Sequence, residues 1–73
     1  MTKKIGITCD TYKANSFRKG LLKEGFTIEY DGQSGAKGVH LFRVEVQDKD
    51  YYEMINKIGK TVNRLEFEFK HSN

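Results

Sequence analysis

Cys9, His40 and His71 are the side chains of this chain with the greatest chemical reach. Cys9 closes an alternating run, Ile5-Gly6-Ile7-Thr8-Cys9, and stands just before a segment with helical spacing. A thiol at a helix N-terminus can have a lowered pKa and act as a nucleophile. A phosphatase-type Cys-x5-Arg loop would need arginine at position 15, where the chain has Asn15, and Arg18 lies too far along. The alternation that carries Ile5 and Ile7 inward carries Cys9 with them, so the sequence predicts a buried structural thiol. His40 falls on the inward face of another strand pattern, and His71 sits in a terminal tail, His71-Ser72-Asn73. Neither has companions at metal-ligand spacing. Asp10 and Asp48 each precede a helical pattern and read as N-caps, not as an acid–base pair. The expectation is therefore a chain without catalytic residues, metal or cofactor.

The loop Gly32-Gln33-Ser34-Gly35-Ala36-Lys37-Gly38 has the glycines and lysine of a phosphate cradle. It joins two strand patterns and opens no helix, so it lacks the aligned amides that such a cradle needs. Residues 31–38 read instead as a flexible hairpin loop.

The elements around these residues follow from hydrophobic spacing. Strand patterns cover Ile5–Cys9, Phe26–Tyr30, Val39–Val46 and Leu65–Phe69. Ala14, Phe17 and Leu21, widened by Leu22, make one helical stripe; Tyr51, Ile55, Ile58 and Val62, widened by Met54, make a second. Gly25 is placed for a left-handed C′ position, with Phe26 following as its hydrophobic clasp. Gly20, inside the first helix, suggests a close approach of helix to sheet. Val39 to Val46 is apolar on both faces near its start, which predicts a central strand. The four tyrosines, Tyr12, Tyr30, Tyr51 and Tyr52, read as core-edge residues.

The resulting order, β-α-β-β-α-β over residues 1–73, resembles the ferredoxin-like fold. It predicts an α+β sandwich: a four-stranded antiparallel sheet of order 4-1-3-2 with both helices on one face, right-handed at each crossover. Two families share this topology. RNA-recognition domains stack bases on sheet aromatics. Here Lys37-Gly38 resembles the start of their third-strand motif, but Val39, Leu41 and Val44 fill the aromatic positions and Gly6 stands in the first strand. The outward carboxylates Glu29, Glu45, Glu66 and Glu68 also oppose phosphate. Acylphosphatases carry a glycine-rich loop with an arginine after the first strand, where this chain reads Asp10-Thr11-Tyr12-Lys13-Ala14-Asn15. Regulatory domains of the same topology, which bind small ligands at subunit interfaces, place a glycine in that loop, and none stands here.

Size and charge narrow the rest. A chain of 73 residues suits a single domain, with a core worth about 3–5 kcal/mol net. Thirteen basic and ten acidic residues give a net charge of +3, too mild to imply a nucleic-acid partner by itself. One free cysteine suits a reducing cytoplasm. No apolar run is long enough for a signal peptide or a spanning helix.

The sequence thus points to a cytoplasmic, non-enzymatic interaction or regulatory module that binds a protein partner, a second copy of itself included. Binding would use the open sheet face or an edge strand, with Val39, Leu41, Arg43 and Glu66 as the contact residues. Its size and charge loosely resemble those of small phage and mobile-element proteins, which would imply a role such as inhibiting a host enzyme. The alternative is nucleic-acid binding by the basic helix layer and hairpin, through Lys13, Lys19, Lys23 and Lys37.

Overall fold

The computed structural model describes residues 1–71, so Ser72 and Asn73 of the expected tail lie outside the described residues. The chain forms β1 (Thr2–Asp10), a 3-10 turn (Thr11–Lys13), α1 (Ala14–Lys23), β2 (Thr27–Gln33), β3 (Val39–Gln47), a second 3-10 turn (Asp48–Asp50) and α2 (Tyr51–His71). The strands make one antiparallel sheet of order β1-β3-β2. The architecture is α+β, with β3 in the centre.

A four-stranded ferredoxin-like sheet does not form. Leu65–Phe69, expected as a fourth strand, is instead part of the 21-residue helix α2. Two periods compete for these residues. Leu65, Phe67 and Phe69 alternate, yet Tyr51, Met54, Ile58, Thr61, Leu65 and Phe69 recur at helical spacing. The helical period wins because only Asn63 and Arg64 separate Val62 from Leu65, with no glycine or proline to stop a helix there. Gly59 lies within α2 and does not end it. Burial follows the helical stripe: Ile58, Thr61 and Leu65 are buried, whereas Phe67 is 62% exposed. Without a fourth strand, β1 becomes an edge.

The core joins the inward side of the sheet to both helices. Phe17 and Leu21 of α1 and Phe42 and Val44 of β3 are its fully buried side chains. Ile7, Cys9, Ala14, Phe26, Val46, Ile58 and Leu65 complete it with little exposure. α2 starts beside the first residues of β1, where Lys3 Nζ lies 4.7 Å from the centre of the Tyr51 ring. It passes the other end of that strand with Glu66 bound to Lys13 at 2.8 Å. Gly20 meets Leu65 of α2, so the close approach it permits is helix to helix.

The helix ends follow local chemistry. Gly25 adopts φ +87°, and the amides of Gly25 and Phe26 donate to the carbonyls of Leu22 and Leu21. This is a Schellman ending, with Phe26 and Leu21 both buried against the core. The expected aspartate caps do not form. Each helix is entered through a 3-10 turn, and no side-chain cap bond is made at Asp10. Asp48 falls inside its turn, after Gln47. Asp10 instead faces Lys13 at 3.7 Å.

Candidate functional site

With both helices on one side, the other face of the three-stranded sheet is left open. The register sets its composition. Along β3, Val39, Leu41, Arg43 and Glu45 point outward; opposite them on β1 stand Asp10, Thr8, Gly6 and Lys4. Val39, at the start of β3, and Leu41 are half-buried on this face, while Arg43, Gly6 and Thr8 are exposed. A Cβ built on Gly6 would stand 3.6 Å from Leu41 Cδ1, an ordinary contact.

A break in pairing adds an aromatic side chain to this face. Ile28 pairs with Val44 and Tyr30 with Arg43, so Glu29 is an extra residue in β2. Such a bulge reverses the inward–outward order of every later residue in the strand. Continuing the alternation of Phe26 and Ile28 would turn Tyr30 inward; the bulge turns it outward. Its ring lies beneath the Arg43 guanidinium, 5.2 Å from centre to Cζ, and its hydroxyl donates to the Gln33 carbonyl at 3.0 Å. The ring crosses over Gly32, where a Cβ would come within 2.7 Å of the Tyr30 hydroxyl. Glu29 itself pairs with Lys4 at 3.2 Å.

The same reversal turns Asp31 toward the helix side. Its carboxylate accepts from Arg18 Nε and from Arg18 Nη2 at 2.9 Å, and it meets His40 Nε2 at 2.6 Å. Arg18 also donates to Asn15 Oδ1 at 2.6 Å. The Arg18 hydrogen bonds, aided by His40, hold the Asp31 carboxyl down at about 2. His40 is buried and its ring packs against Phe42.

This cluster stands next to Cys9, which pairs with His40 across the sheet. Its chemistry is that of a fastening. Asp31 is committed to Arg18 and His40. Cys9 is 8% exposed, and burial, reinforced by the charges of Glu66 and Asp10, pushes its thiol up. A nucleophilic thiolate requires the opposite shift. Among the described residues, no group of three or more His, Cys, Asp or Glu side chains could hold a metal ion. No helix among them is long and apolar enough to cross a membrane.

The structure brings Val39, Leu41 and Arg43 together on the open face. Glu66 does not join them: it lies on α2, bound to Lys13. That bond also alters the basic set. Lys13 is half-buried and neutralised by Glu66 and Asp10, while Lys19 and Lys23 are exposed on α1 and Lys37 is exposed in the hairpin loop. Tyr30 is the member of the face that spacing alone misses. The signal was weak: after Ile28 the run Glu29-Tyr30-Asp31-Gly32 offers no further apolar residue to fix its parity. No family model, curated protein or solved structure matches this chain.

Proposed function

We propose that this chain is a non-enzymatic interaction module that binds a protein partner through the open sheet face. The observation that carries this reading is the Tyr30–Arg43 stack beside half-buried Leu41 and Val39, on a face that neither helix covers. Tyrosine and arginine are the residue types that dominate protein–protein hot spots, and an apolar centre with a charged rim excludes water around them. Lys4, Glu29 and Glu45 form that rim. A reducing compartment such as the cytoplasm suits the free Cys9 thiol.

The test is affinity capture from native extract with the wild-type chain, Leu41→Asp and Tyr30→Ala. Both substitutions fall on the outer face and leave the core intact. A protein retained by wild type and lost by both variants supports the reading. An identical set of retained proteins overturns it. A gel shift at low salt separates the alternative, because binding through Lys19, Lys23 and Lys37 would release counterions and weaken steeply as salt rises.

A further inference from the structure

The edge of β1 carries an inference beyond the sheet-face reading. One backbone bond closes each end of the β1–β3 ladder: Asp48 N donates to Met1 O, and Thr11 N donates to Gly38 O. In an antiparallel pair, bonded positions alternate. The odd residues of β1 therefore bond to β3, and Thr2, Lys4, Gly6, Thr8 and Asp10 turn their backbone N–H and C=O groups to the free edge. All five are exposed. The ladder runs from Thr2 to Asp10 without a bulge, whereas the other edge, β2, is interrupted at Glu29. A long, regular edge with unpaired backbone groups is a template for another strand.

The side of α2 nearest this edge matches it. Lys57 and Arg64 reach Glu24 at the end of α1. By helical spacing, Ile55, Gly59 and Val62 lie on the opposite side, away from α1. Ile55 is 37% exposed, Val62 is half-buried, and a Cβ on Gly59 would meet nothing.

We propose that two copies of this chain pair antiparallel through β1, about a twofold axis at Ile7. Charge complementarity selects both the occupant and the register. The strand carries Lys4 near one end, exposed beside its own Glu29 at 3.2 Å, and Asp10 at the other, exposed beside its own Lys13 at 3.7 Å. This pairing adds an intermolecular partner to each by setting Lys4 opposite Asp10 of the second copy, twice. Gly6 and Thr8 face each other between them, all at positions whose backbone groups are free. Pairing centred on Gly6 would leave Lys4 opposite Thr8 and form no such ion pair. The product is a six-stranded sheet with two Tyr30–Arg43 faces on one side. On the other, the two α2 helices approach through Ile55 and Val62, with Gly59 allowing close contact.

Light scattering on a sizing column tests this with the full chain. Wild type is expected at twice 8.5 kDa at high concentration and to dissociate on dilution. Thr8→Pro removes an amide that faces the free edge and bonds to nothing in β3, so it should give a folded monomer by circular dichroism. Lys4→Asp and Asp10→Lys should each weaken the dimer at least tenfold, and the double variant should restore it. A wild-type chain that stays monomeric at every concentration overturns the proposal. A dimer that survives Thr8→Pro, or charge variants without mutual rescue, overturns it as well. The Leu41→Asp capture result is independent of all these outcomes.

Discussion

Gly20 and Leu65 meet where α1 crosses α2: a Cβ on Gly20 would stand 2.9 Å from Leu65 Cδ1 and closer still to Cδ2. Leu65 is 6% exposed and has no solvent to swing into. Gly20→Ala should gain about 1 kcal/mol of helix propensity and lose about 1–3 kcal/mol to overpacking. Urea unfolding is expected to show a net loss of about 1 kcal/mol. A stabilised variant would mean that the helices do not cross here.

Leu65 and Phe67 would share a face in a strand, but in α2 one is buried and the other is 62% exposed. Leu65→Ala should therefore cost about 2–4 kcal/mol, and Phe67→Ala within about 0.5 kcal/mol of nothing. Equal costs from the same unfolding measurement would restore the strand.

Asp31 provides a pH signature. Its carboxyl is held at about 2 against the usual 3.8, so between these values the unfolded chain binds the proton and the folded one does not. The stabilisation is complete above about pH 4 and is lost as pH falls through about 2. Its size is about 2 kcal/mol by linkage, reduced toward about 1 kcal/mol by the partial exposure of the ion pair. Asp31→Asn should be less stable at neutral pH and show a flatter acid limb in urea midpoints taken from pH 5 to 2. An unchanged acid limb would show that Asp31 is not held by Arg18.

Cys9 should be inert in the folded chain. Its thiol is buried and pushed up, so labelling by a disulfide reagent at neutral pH is expected to run at least tenfold slower than in urea. Rapid labelling under native conditions would contradict the buried placement.

The first three strands and the Schellman turn at Gly25 were legible because each rests on local signals: alternation, helical stripe, and a glycine where the backbone must go left-handed. The open-face trio was legible for the same reason, since β3 alternates without interruption from Val39 to Val46. Leu65–Phe69 was not legible, because five residues fit both periods and burial decides between them. Glu66 was misplaced with that segment. Tyr30 and Asp31 were hidden by the bulge, which depends on how β2 meets β3 and not on any residue pattern within β2 alone.

Glu29 acts on the sheet as a reading-frame insertion acts on a gene: everything downstream within the strand changes sense. Pairing Glu29 in a regular ladder would exchange Tyr30 and Asp31 between the two faces. It would drive a phenol toward Arg18 and His40 and lift a carboxylate beside Arg43. A one-residue change of pairing would thus remove an anchor of the helix layer and the aromatic part of the open face together, while the strand kept every residue.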